Sequence, residues 1–286
     1  ATNADEARNI HIADLDGDGD LDIISASSAD NAVAWYENDG AANPSWTAAD
    51  IATSANGAHD VYVADMDGDG DLDIVSASIH DDTIAWYENN GASDPTFTAT
   101  DIATTADYAV GVHIADMDGD GDLDIVSASQ LDDTIAWYEN NGAADPSFTA
   151  ADIATTADHA TSIDVVDIDF DGDLDIISSS ENDDTVIWYE NNGAADPTWT
   201  TASQGLGNPS SSMAPDGAWA VHTGDIDGDG DIDVVSASFN DDKIAWYQTD
   251  GAQDPNWNIF TISTTADGAR DVEIADIDGD GDLDII

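Results

Sequence analysis

The sequence predicts an all-β protein, a β-propeller of four-stranded antiparallel blades, from three observations. A nine-residue acidic segment recurs six times at a nearly fixed period, the stretch between copies reads as four short strands, and helical periodicity is absent. The first aspartates of the copies lie at 14, 65, 116, 167, 225 and 276, a spacing of 51 residues except in the fourth interval, where it is 58. A period of about 50 residues with four strands per unit is that of a propeller blade.

Residues 57–107 show the unit. The first strand is Asp60–Ala64, with Val61 and Val63 alternating around Tyr62. The acidic segment follows, then a second strand, Asp73–Ser78. Residues 79–82 turn into a third strand, Thr83–Glu88. Asn89–Pro95 is dense in turn formers and leads to a fourth strand, Thr96–Ala103. The longer fourth interval places an insertion at 203–216, a surface loop within one propeller spanning 1–286. Residues 1–24 align with residues 263–286, Arg8 matching Arg270. The expected content is five complete repeats plus the first two strands of a sixth, in a segment of a longer chain. Residues beyond Ile286 or another chain would finish that last blade.

Composition narrows the function. The chain has 63 acidic residues against 3 basic ones, a net charge of −60. Arg8, Lys243 and Arg270 cannot form a basic footprint, which excludes nucleic acid and disfavours an anionic membrane surface. No stretch is apolar for long enough to insert in a membrane. With 41% hydrophobic residues and nine Trp, the chain is not a disordered acidic tail. Six divalent cations would offset only 12 of its 60 negative charges, so the remainder points to a saline medium that screens exposed carboxylates.

The segments carry the chemistry. Their aspartates are Asp14, Asp16, Asp18, Asp20 and Asp22; Asp65, Asp67, Asp69, Asp71 and Asp73; Asp116, Asp118, Asp120, Asp122 and Asp124; Asp167, Asp169, Asp171, Asp173 and Asp175; Asp225, Asp227, Asp229, Asp231 and Asp233; and Asp276, Asp278, Asp280, Asp282 and Asp284. Carboxylates at positions 1, 3, 5 and 9 and the backbone carbonyl of position 7 can surround a hard cation, and glycine at position 6 permits the turn. Calcium, with 6–8 oxygen ligands in flexible geometry, suits this set better than octahedral magnesium. An EF-hand is excluded by Ser25 at position 12 of the first copy and by the lack of flanking helices. The fourth copy has Phe170 where the others have glycine at position 4, yet keeps all five aspartates.

Asp65, Asp67, Asp69, Gly70 and Asp73 match the form D-x-D-x-D-G-x-x-D, and the other copies match it likewise. In this the chain resembles the FG-GAP/VCBS repeat family, whose members include the integrin α-subunit propeller. The resemblance implies up to six Ca2+, each in the hairpin between the first and second strands of a blade. Ile-Ala-Trp-Tyr-Glu-Asn stands where that family has Phe-Gly and Gly-Ala-Pro signatures, so integrin-like ligand binding is not carried over.

Two other recurring features are candidates for function. In the Trp-Tyr pairs at 35/36, 86/87, 137/138, 188/189 and 246/247 the Trp is read as inter-blade core and the Tyr, on the opposite face, as reaching a hydrogen-bond partner at the rim, with sugar stacking as the alternative. His11, Tyr62, His113, Asp164, His222 and Glu273 share one position of the first strand and would line a central channel. No nucleophile–base constellation or phosphate loop appears, so the chain is not read as an enzyme. Only residues 203–222, with Trp219 and His222, break the repeat enough to hold an acid/base site. The expected role is a calcium-stabilised extracellular structural or adhesion module at a cell surface or in a filament. Its partner would be a protein, a neighbouring subunit or an extracellular glycan. The alternative is a lectin-like module or an accessory domain of a secreted polysaccharide-degrading enzyme.

Overall fold

The computed structural model describes residues 4–201, 206, 214–253 and 255–286; most of the 203–216 insertion lies outside them. Among the described residues there is no helix. The first blade is β1 (Ala7–Ala13), β2 (Asp22–Ser27), β3 (Ala32–Asn38) and β4 (Trp46–Ala52), followed by β5 (Ala58–Ala64), β6 (Asp73–Ser78), β7 (Thr83–Asn89) and β8 (Phe97–Ala103). The third blade is β9 (Ala109–Ala115), β10 (Asp124–Ser129), β11 (Thr134–Asn140) and β12 (Phe148–Ala154). The fourth is β13 (Ala160–Val166), β14 (Asp175–Ser180), β15 (Thr185–Asn191) and β16 (Trp199–Thr201). The fifth is β17 (Ala218–Gly224), β18 (Asp233–Ser238), β19 (Lys243–Gln248) and β20 (Asn258–Ser263), and β21 (Ile274–Ala275) with β22 (Asp284–Ile285) makes a two-stranded sixth. Within each sheet the strands pair antiparallel in sequence order, as the repeat predicts. The first strand of a blade begins earlier than expected, at Ala58 rather than Asp60, because a bulge between Ala58 and Asp60 carries the pairing past the irregular residue.

The chain divides into two compact units, residues 1–116 with 121–152, and residues 117–120 with 153–286. In the first unit the core forms where successive blades meet. Leu15, Ile24, Val33 and Trp35 pack with Ala58, Val61, Val63, Ile74 and Tyr87. One repeat later Met66, Val75, Ile84 and Trp86 pack with Ala109, Val112, Ile114, Ile125 and Tyr138. In the second unit Ile168, Ile177, Val186 and Trp188 meet Ala218, Val221, Val234 and Tyr247 in the same way. The central strands β6 and β10 are buried along their whole length, and their Asp-Ile-Val-Ser-Ala-Ser sequence, two β-branched residues followed by three small ones, fits between two covered faces. The outer strands β8 and β12 are mostly exposed and rich in Thr and Asp, which discourages edge pairing.

Four of the five Trp of the Trp-Tyr pairs, Trp35, Trp86, Trp137 and Trp188, are buried, whereas Trp246 is partly exposed and stacks on Phe260. Tyr87, Tyr138, Tyr189 and Tyr247 are buried too, and Tyr87 Oη and Tyr247 Oη bond inside the sheet rather than at the rim, to Ser76 Oγ at 3.3 Å and Ser236 Oγ at 3.2 Å. At the β2–β3 and equivalent turns, a left-handed residue reaches the next blade: Asn31 Oδ1 accepts from Gly57 N, and Asp82 Oδ1 from Tyr108 N.

Candidate metal centre

Each acidic segment forms the loop between the first two strands of its blade, as predicted. The backbone turns twice into the left-handed region, in the second copy at Gly68 (φ +72°) and Gly70 (φ +99°). Glycine is therefore favoured at position 4 as well as position 6, although in the fourth copy Phe170 takes that first turn at φ +57°. Gly70 N donates to Asp65 Oδ2 at 3.0 Å, Asp69 N to Asp67 Oδ1 at 3.1 Å and Asp71 N to Asp69 Oδ1 at 2.9 Å. The first, fourth, fifth and sixth copies repeat these three bonds.

This winding brings the side chains of positions 1, 3 and 5 together. One carboxylate oxygen from each of Asp14, Asp16 and Asp18 lies within 4.8 Å of the others, and the same holds for Asp65, Asp67 and Asp69, for Asp116, Asp118 and Asp120, and for Asp225, Asp227 and Asp229. In the fourth copy the group is Asp167, Asp169 and Asp175, which brings in position 9. Buried oxygens Asp14 Oδ1, Asp116 Oδ1, Asp225 Oδ1 and Asp233 Oδ2 have no hydrogen-bond partner. Converging all-oxygen donors with orphaned buried carboxylate oxygens fit a hard cation.

The position-7 carboxylates turn elsewhere. Asp71 packs so closely on Gly91, in the β7–β8 turn, that a methyl group there would overlap it, and Gly91 itself sits at φ +62°. The pairs Asp20/Gly40, Asp122/Gly142, Asp173/Gly193 and Asp231/Gly251 are alike. Only the backbone of position 7 is thus left to face the loop.

Position 9 is the buried anchor. Asp73 Oδ2 accepts from Met66 N at 3.2 Å within its own loop, and Oδ1 accepts from Asn89 N at 2.7 Å at the end of β7. Desolvation pushes its carboxyl up to about 7 against those two N–H groups and the Trp86 indole N–H, which faces it without closing a hydrogen bond. Burial likewise raises Asp175 to about 7 and Asp233 to about 6. Asp16, Asp67 and Asp169 are raised first by desolvation and then by neighbouring loop carboxylates.

Residues read from the sequence only as turn formers complete the site. Asn89 is buried; its Nδ2 donates to Leu72 O at 3.0 Å in its own loop and to Leu15 O at 3.2 Å in the preceding one, while Oδ1 accepts from Gly91 N. Asn140 does the same with Leu123 O and Met66 O, and Asn191 with Leu174 O and Met117 O. The recurrence of Asn just before the Asn-Gly or Asp-Gly turn was the available signal. Glu of the Trp-Tyr-Glu-Asn run also faces the loop: Glu37 is raised by desolvation and then by the charges of Asp16, Asp22 and Asp18.

The expected channel position yields two groupings. In the first unit the rings of His11, Tyr62 and His113 meet in series, tilted by 51° and 48°, with 4.8 Å between successive centroids. In the second unit His222 Nδ1 lies 3.4 Å from Asp164 Oδ2 and its Nε2 lies 3.6 Å from Glu273 Oε2. Asp164 holds His222 above the usual imidazole range against burial.

Repeated four-stranded antiparallel sheets, each with an acidic loop in its first hairpin, define a β-propeller repeat protein. Matches to the FG-GAP-like repeat cover residues 14–76, 66–127, 116–178, 167–236 and 225–286, and the chain belongs to that family. No curated protein sequence matches it. Among solved structures it is similar to a lectin of Agrocybe aegerita that recognises non-reducing terminal N-acetylglucosamine, with 20% identity and a TM-score of 0.60 over 92% of this chain and 67% of that one. It is similar to the V. cholerae biofilm matrix protein Bap1, with 18% identity and a TM-score of 0.53 over 93% of this chain and 40% of that one. A periplasmic gluconolactonase of Pseudomonas aeruginosa has 14% identity and a TM-score of 0.58 over 95% of this chain and 71% of that one. These likenesses establish the fold, which serves enzymes and non-enzymes alike.

Proposed function

We propose that the protein is a calcium-stabilised, non-enzymatic propeller module that works outside the cell, where millimolar calcium fills loops of this kind. The observation that carries this is the convergence of loop carboxylates whose buried oxygens lack protein partners. Positions 1, 3, 5 and 9 would hold the ion by side chains and position 7 by its carbonyl. Bound calcium supplies the positive charge that lets those carboxylates stand together. Without it, each pair of charges about 4.8 Å apart repels by about 3 kcal/mol at an effective dielectric of about 20. The loop backbone still presets the ligands, because Gly70 N and Asp71 N orient Asp65 and Asp69.

The partner in this reading is an extracellular glycan or a surface protein. The likeness to an N-acetylglucosamine-recognising lectin and to a biofilm matrix protein supports it, as does a charge that repels nucleic acid.

The test is a calorimetric calcium titration of chelator-stripped protein, followed in parallel by Trp emission, since Trp86 abuts Asp73. Binding of several equivalents with a blue-shifted or intensified emission is expected. No heat and an unchanged melting curve in excess chelator would falsify the calcium reading. A glycan array with and without calcium separates glycan from protein partners.

A further inference from the structure

We propose that Asn89, Asn140 and Asn191 are positioning residues that each couple an acidic loop to its neighbour, so that calcium binding at one loop strengthens binding at the next and the coupling is missing at Thr249. The inference rests on the calcium reading above and adds a relation between sites. Each asparagine touches two loops. Asn89 Nδ2 holds the carbonyl of Leu15, the residue between ligand positions Asp14 and Asp16, while Asn89 N holds Oδ1 of Asp73, the ninth position of loop two. Asn140 joins Met66 to Asp124 at 2.9 and 2.7 Å, and Asn191 joins Met117 to Asp175 at 2.8 and 2.8 Å.

The connection is stiff. Leu15, whose carbonyl Asn89 holds, also donates its N–H to Asp22 Oδ2, so that residue is tied to the far end of loop one. All side-chain donors and the acceptor of Asn89 are engaged in a buried site, where a lost partner is not replaced by water. An ion that fixes loop one fixes the Leu15 carbonyl and thereby the amide that positions Asp73; reciprocity requires loop two to act equally on loop one.

The fifth blade provides an internal control. Thr249 keeps the backbone bond to Asp233 Oδ1 at 3.0 Å, but its hydroxyl is buried without a partner and is too short to span two loops. Loops four and five therefore lack the amide bridge.

The experiment is competitive calcium titration of the full chain at fixed ionic strength. In one series loop two is disabled by Asp67→Asn with Asp69→Asn, with and without Asn89→Ser plus Asn140→Ser. Disabling loop two is expected to weaken the remaining sites about fivefold when both asparagines are present and by less than twofold when they are serine. Thr249→Asn, which removes no existing side-chain bond, is expected to raise the Hill coefficient by bringing loop five into the cooperative set. Circular dichroism at saturating calcium confirms that each variant is folded. Independent sites, unchanged by the asparagine substitutions and by Thr249→Asn, would overturn the coupling while leaving calcium binding intact. Absence of any calcium binding would overturn both.

Discussion

The second and fifth blades carry the same acidic loop in different surroundings. Both keep five aspartates and two glycines at identical loop positions. Around them, the second blade has Asn89 with its amide spread over two loops, whereas the fifth has Thr249 with a single backbone bond. Asp73 accepts two backbone N–H groups, but Asp233 Oδ2 accepts none. The fifth blade instead has Gln248 where Glu88 stands, and its Nε2 donates to Asp227 Oδ2 at 2.6 Å. A neutral amide there steadies a ligand-position carboxylate that a glutamate would repel. The two loops thus share one set of carboxylates inside scaffolds that differ.

The largest test removes what the two blades share. Chelation is expected to lower the melting temperature by roughly 10 °C or more, read by calorimetry, and calcium should restore it. Substituting the buried anchor comes next. Asp73→Ala leaves two buried N–H groups unpaired and should cost about 3 kcal/mol in denaturant unfolding, against about 1–2 kcal/mol for Asp233→Ala. Asn89→Ala should cost about 2 kcal/mol and Thr249→Ala under about 1 kcal/mol, because only the asparagine serves two loops.

A pH series probes both blades through their anchors. Asp73 in the metal-free fold titrates near 7 against an ordinary 3.8, so its proton favours folding. The stability it contributes to chelated protein is full below about pH 4 and lost as pH rises through about 7. Calcium competes with that proton, so affinity at that loop should climb about 25-fold between about pH 5.5 and 7.5, and a pH-independent affinity would contradict the assignment of position 9 as a ligand. Asp233, at about 6, should reach its plateau at lower pH. The smallest effect lies at the irregular loop. Phe170 is half exposed at φ +57°, and Phe170→Gly should stabilise by about 0.5–1 kcal/mol in thermal melts.

Much of this was legible beforehand because it is periodic. Alternation in Val61 and Val63, the turn formers after Asn89 and the fixed phase of the aspartates placed the strands of the second blade within one or two residues. The dual grip of Asn89 was not legible: it reaches Leu15, 74 residues away, and in sequence it looks like half of an ordinary Asn-Asn-Gly turn. Gly91 likewise reads as a turn glycine, and only packing shows that the Asp71 side chain occupies the space a Cβ would need. Tyr87 was expected at a rim, but it is buried between two covered sheet faces and its hydroxyl bonds to Ser76.

The sequence by itself determined the blade, its period, and which carboxylates face one loop, since a nine-residue segment with glycine at its left-handed positions can wind in few ways. Tertiary structure alone decided which oxygens are left without a partner, which aspartate becomes the buried anchor, and which loops share an asparagine. Those properties depend on desolvation and on contacts between blades, which arise only when one repeat packs against the next.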